Sequence, residues 1–154
     1  MEQSNVVDLK KGENITITNR ELNNHMLVPA LAKLNQSPVG VKLAYQISYI
    51  TKHIDRHIKQ GREIFLKLSD KYAEKDEQGN LVPDTTPEGN PIRGTFKFKD
   101  DESKDAFKKE EKEFFEMSHD IPKKKININE LEGHVTLSAQ DISALSPLLC
   151  GFED

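Results

Sequence analysis

The sequence predicts an α+β domain in which a long antiparallel helical hairpin stands on a small β-sheet, formed by N- and C-terminal strands and closed by a final short helix. Three observations predict it. NITIT at 14–18 and KKKININ at 123–129 alternate apolar and polar residues near the two ends, the period of a half-buried strand. Isoleucines from Ile47 to Ile58, continued through Gly61 to Ile64, recur at steps of three and four, the spacing of one helix face. A turn-rich connection then separates that run from a second helical segment carrying phenylalanines on one side.

In chain order, Ile15 and Ile17 place one face of the first strand inward. Thr18 and Glu21 form a T-x-x-E pattern, in which hydroxyl and carboxylate satisfy the free N–H groups of a helix start. A helix from about residue 19 has Leu22, Met26, Leu31 and Leu34 as its apolar side. Pro29 lacks a donor and is expected to kink or split it. Ser37 is read as the cap of a second helix, with Pro38 at its first position. Its stripe is Ile47, Ile50, Ile54, Ile58, Gly61, Ile64, Phe65, Leu68 and Tyr72. Unbroken from 38 to 73, this helix is about 54 Å long at about 1.5 Å per residue. A compact chain of this length has a radius of gyration of about 15 Å, so the reading calls for an elongated shape or a break at Gly61.

The connection at 76–99 is rich in Gly, Pro, Asn and Asp and contains the turn candidates QGN and PEGN. It is read as a flexible connection or a β-hairpin at the tip of the helical hairpin. Acidic residues and Ser103 then open a helix over DDESKDAFKKEEKEFFEMSHD, with Phe107, Phe114 and Phe115 on its buried face and Pro122 as its stop. Ile126 and Ile128 point inward from a strand that joins NITIT. Ser138 caps the last helix, with Asp141 in its first turn and Leu137, Ile142, Leu145, Leu148 and Leu149 as its buried side.

Length favours a single domain over 1–154. The hydrophobic fraction is 35%, the charged fraction 31% and tryptophan is absent, with a mean hydropathy of -0.68. The core must therefore be thin, as in elongated helical proteins or proteins that share a core with a partner. A net charge of -4 supplies no general positive field for phosphate, so no nucleic-acid partner is expected. Lys123, Lys124 and Lys125 are read as the solvated approach to a strand. The opening residues lack the apolar core of a signal peptide, and no uncharged apolar run approaches the length of a membrane span. The expectation is a soluble protein of the host cytoplasm or the virion, with no membrane partner. Cys150 is the only cysteine, which excludes an intrachain disulfide and a cysteine-rich zinc site.

The chemistry-bearing pattern is HIDRH. His53 and His57 are four residues apart, a spacing that lets two imidazoles share a helix face and a metal. A zinc-protease motif would need glutamate after the first histidine, where Ile54 stands instead. At about 100° per residue, His57 lies about 60° and His53 about 100° from the stripe centre, on the polar edge of the core. No third ligand is identifiable by spacing, so a metal-dependent enzyme using His53 and His57 stands as the weakest functional alternative, and no cofactor is expected. Phosphate-binding glycine motifs and a nucleophile–base–orienter set are absent, and the carboxylates of 100–116 read as a solvated, helix-supporting face. Phe96 and Phe98, on the connection, have less core to enter than Phe65, Phe107 and Phe114. They are the candidate partner-binding residues.

Read together, ITITNRELNN, SPVGVKLAYQI, KYAEKDEQGNLV, FKFKDDESKDAFKKEEKEF and KKININELEGHVTLSAQDISAL give a chain that resembles a family of small proteins of tailed phages and prophages, encoded near tail and lysis genes. The longer PDTTPEGNPIRG and the two helix histidines depart from that pattern. The family has no settled activity, so the resemblance implies a phage context and transfers no site residue. The expected function is non-enzymatic protein–protein contact in virion structure or assembly, with a phage structural protein or host protein as partner or with a second copy as a homo-oligomer. A phage-encoded inhibitor of a host enzyme or antiviral defence complex is the principal alternative.

Overall fold

A computed structural model describes residues 14–152 as a mixture of helix and short strand. The leading segment, read above as lacking a signal peptide, lies largely outside the described residues. The elements are β1 (Asn14–Thr18), α1 (Asn19–Leu22), α2 (Leu27–Gln36), α3 (Val41–Tyr72), α4 (Asp101–Glu116), β2 (Ser118–Lys124), β3 (Ile126–Asn127), α5 (Ile128–Leu131), α6 (Ala139–Leu145), a 3-10 turn (Ser146–Leu148) and β4 (Leu149–Cys150). The chain divides into two compact units, Met1–Ile58 with Met117–Asp154, and Lys59–Glu116.

The first unit holds the larger core. Ile15 and Ile17 of β1, Leu27, Leu31 and Leu34 of α2, Ile47, Ile50 and Ile54 of α3, Ile121 of β2 and Leu145 and Leu148 near the C-terminal end are buried in one cluster. The Thr18 box forms as expected: Glu21 N–H donates to Thr18 Oγ1 at 3.1 Å, and Thr18 N–H donates to the Glu21 carboxylate at 2.9 Å. The first helix does split, but across residues 23–26 and not at Pro29, which is the third residue of α2. There its missing N–H removes no intrahelical bond.

The strand pairing differs from the expectation. β1 pairs antiparallel with β2, Ile15 opposite Ile121 and Thr18 opposite Ser118. Residues 118–120, expected at the end of a helix, are thus strand. Ile121 is fully buried between exposed neighbours, an alternation that makes half-buried strand the lower-energy state. Pro122 does not stop a helix but sits in this strand, where the register shifts between Asn14 and Ile15. A bulge on a two-stranded edge tolerates a residue with no donor. The ININ segment forms a separate sheet: Ile126 and Asn127 pair in parallel with Leu149 and Cys150. Ile128 opens α5 and is not a strand residue, because the Asn127 side chain accepts from Asn129 N–H at 2.9 Å and caps the helix.

α6 starts as expected, with Ser138 and Asp141 exchanging hydrogen bonds of 3.1 and 2.9 Å. The buried Asp141 carboxylate also accepts from Lys33 Nζ at 2.5 Å, tying α6 to α2. Lys33, with Ser138 N–H, holds the Asp141 carboxyl below its ordinary range.

α3 begins at Val41, three residues after the expected start. Ser37 ends α2, donating from its hydroxyl to Lys33 carbonyl at 2.6 Å. The helix continues through Gly61 without a break. One member of the expected stripe falls outside it: Ile54 is fully buried, and Ile58, Gly61, Phe65, Leu68 and Tyr72 are partly so, but Ile64 is 53% exposed.

The second unit is organised by aromatic rings. Phe65 lies 5.5 Å from Phe114, and Tyr72 lies 6.4 Å from Phe107, so the ring order is opposite along the two helices. Phe107 is the best buried, at 5% exposure. The connection is a chain of backbone-bonded turns. Asp76 and Asn80 close one, with Gly79 at φ 83°, and Thr86 and Asn90 close the next, with Gly89 at φ 86°. Both glycines occupy the left-handed region that side chains disfavour.

Candidate functional site

Below Ile58, α3 divides its residues between two opposite faces. Leu43, Ile47, Ile50 and Ile54 turn toward the core. Lys42, Tyr45, Tyr49, Lys52 and Arg56 follow steps of three, four, three and four, which at about 100° per residue confines them to a window of about 80° on the other side. Tyr45 is 75% exposed and Tyr49 36%, with Val41 beside them at 73%. Large apolar or aromatic groups left open on one helix face mark contact surfaces more often than chance.

The neighbouring strand extends this face. Gln46 Nε2 donates to the Lys124 carbonyl at 2.8 Å, which holds the end of β2 beside the helix. Lys123 Nζ then lies 4.8 Å from the Tyr49 ring centroid, a cation–π contact. The chain from Leu22 to Ile54 contains no aspartate or glutamate. Asp120 of β2 is engaged elsewhere, accepting from Thr16 Oγ1 at 2.9 Å. The face therefore combines two open phenol rings with lysine and arginine. The sequence reading passed over Tyr45 and Tyr49; their four-residue spacing opposite the isoleucines was the available signal.

The two HIDRH histidines engage different neighbours. His53 packs on Tyr49 with ring centroids 4.5 Å apart. His57 stacks on His119 of β2 at 4.3 Å and 24°, a partner that spacing did not reveal. His119 Nε2 is in turn 2.8 Å from the Asn19 side-chain oxygen, and Asn19 is buried at the start of α1. His57 Nδ1 is buried with no hydrogen-bond partner. Burial, followed by the charges of His119, His53 and Arg56, lowers the His57 pKa from its ordinary 6.5. Face-to-face rings direct their nitrogen lone pairs alongside one another, not toward a common point, so this arrangement does not preorganise a metal. Among the described residues no group of three or more His, Cys, Asp or Glu side chains is placed to hold an ion.

Phe96 and Phe98 are half-buried and lie 5.5 and 5.2 Å from Phe107. Expected to have less core to enter than Phe107, they pack against it as half-buried rings, because the connection folds its aromatic end onto α4. Backbone bonds from Glu74 N–H to Lys97 carbonyl and from Lys97 N–H to Val82 carbonyl, at 2.8 and 2.7 Å, fix that end.

An open hollow of about 310 Å³ lies between α5 and α6, with apolar walls that include Ile128, Leu131, Val135 and Ile142 and with Glu132 at its margin. Its walls supply shape but no converging set of polar groups of the kind that orients a substrate. Among the described residues no helix is long and apolar enough to cross a membrane. No protein-family model, curated protein or solved structure matches the chain.

Proposed function

We propose that this protein acts by protein–protein contact rather than by catalysis, and that the contact is made by the outward face of α3. The observation that carries the reading is the exposure of Tyr45 and Tyr49 on a helix whose other face is anchored by Ile47, Ile50 and Ile54. Tyrosine is favoured at binding hot spots because it offers a large, stiff surface with a polar tip. An α-helix fixed on one side presents that surface at little further cost in order.

The phage setting, in virion structure or assembly, rests on the sequence resemblance alone and is proposed on that basis. A photo-crosslinking residue in place of Tyr45, introduced in cells that produce the protein, tests the contact. A defined protein adduct is expected, and its absence under conditions where the variant is folded would remove the reading. Mass spectrometry of purified particles tests the setting: the protein is expected in them, and its absence together with normal particle yield on deletion would refute a virion role.

A further inference from the structure

We infer that the partner presented to this face is an acidic protein segment. The inference rests on the contact reading above and adds the partner's chemistry. Tyr45 and Tyr49 are bracketed along the helix by Lys42 on one side and Lys52 and Arg56 on the other, all three exposed. Lys123 adds a fourth cation over the Tyr49 ring. No carboxylate intervenes within α3 before Asp55, which lies outside the line of cations, about 60° around the helix from Lys52 and about 100° from Arg56. A partner covering the two phenol rings must therefore bring its own groups against three or four cations. Carboxylates relieve that charge, whereas a basic or purely apolar surface would leave it uncompensated in a partly dehydrated contact.

Two other occupants fit less well. Single-stranded nucleic acid would use both cations and rings, but its binders track the backbone in a positively charged groove. Here the rings and cations stand on the outward face of a single helix, which forms no such groove. A second copy packing this face on itself would oppose Lys42, Lys52 and Arg56 to their own equivalents, a like-charge contact that costs binding. An acidic helix of about three heptads matches the spacing, since carboxylates at steps of three and four would fall along the same line as the cations.

The test uses the full chain and labelled peptides of about three heptads built from glutamate and leucine at helical spacing, with a lysine-for-glutamate counterpart and an oligothymidylate as competitors. The glutamate peptide is expected to bind and the lysine peptide not to. Rising salt should weaken binding. K42E/K52E/R56E and, separately, Tyr45→Ala should each weaken it by about tenfold or more, with circular dichroism showing that both variants keep their helix. Equal binding of the two peptides, unchanged affinity in the charge reversal, or tighter binding of oligothymidylate would overturn the inference. Self-association lost in Tyr45→Ala by sedimentation would also overturn it, assigning the face to a second copy. The crosslinking at Tyr45 separates the two levels. Adducts with basic or neutral protein segments remove the acidic partner while leaving protein contact intact, and failure to form any protein adduct removes both.

Discussion

Replacing Ile54 and Ile64 by alanine, one at a time, tests which isoleucines belong to the buried face of α3. Sequence periodicity gives the two residues equal standing, but Ile54 is 0% exposed and Ile64 53%. Removing three buried carbons from Ile54 forfeits about 2.4 kcal/mol at about 0.8 kcal/mol per group. The cavity left in the core cluster to which Ile54 belongs raises the loss to about 3–4 kcal/mol. At Ile64 about half of the transfer term applies, no cavity forms, and the better helix propensity of alanine returns about 0.4 kcal/mol. The expected loss there is under about 1 kcal/mol. Urea unfolding followed by far-UV circular dichroism reads both, each variant at the transition it moves. Equal losses, or a larger loss at Ile64, would refute the assignment of α3's buried face.

Other outcomes are open to measurement. Because burial, followed by the neighbouring charges, lowers the folded-state pKa of His57 below its ordinary 6.5, the unfolded chain takes up the proton first as pH falls. Stability should therefore be complete above about pH 6.5 and decline below it, and His57→Phe should reduce that slope in thermal melts at pH 7 and 5. An unchanged slope would count against buried His57 as its source. Ser138→Ala removes the acceptor of the Asp141 N–H bond and should cost about 1 kcal/mol; no loss in chemical unfolding would mean the cap is replaced by water. Phe107→Ala, at the centre of the rings of Phe65, Phe96 and Phe98, should cost about 3–5 kcal/mol and release amide protection across Lys59–Glu116. Preserved hydrogen-exchange protection there would contradict a ring-built core. Gly151→Ala would place a Cβ 2.4 Å from the Asn127 side-chain oxygen at a φ of 84°. It should destabilise by about 1–3 kcal/mol, seen as a lower Tm.

Local signals carried much of the architecture. The two capping boxes at Thr18 and Ser138 depend on residues three apart, so their hydrogen bonds follow from the chain itself. The N-cap at Asn127 was legible in the same way, as N-x-x-E, but the alternation of ININ competes with it over the same residues. Pairing was less accessible, because β1 could satisfy its edge with either of two nearby alternating segments. The choice of Ser118–Lys124 depended on burying Ile121 against Ile15, a contact between residues far apart in sequence. The histidines divide likewise: spacing put His53 and His57 on the edge of the helix, but only folding brought His119 onto His57.

The sequence by itself determined that α3 is a helix, that its isoleucines form the inner face, and where α1 and α6 begin, since periodicity and caps act within a few residues. Tertiary structure alone decided which strand NITIT takes, that Ile64 falls outside the buried stripe, that Phe96 and Phe98 find a core on Phe107, and that Lys123 reaches Tyr49. Each of these depends on burial or charge contributed by a distant segment, and one-dimensional spacing contains no record of which segment that will be.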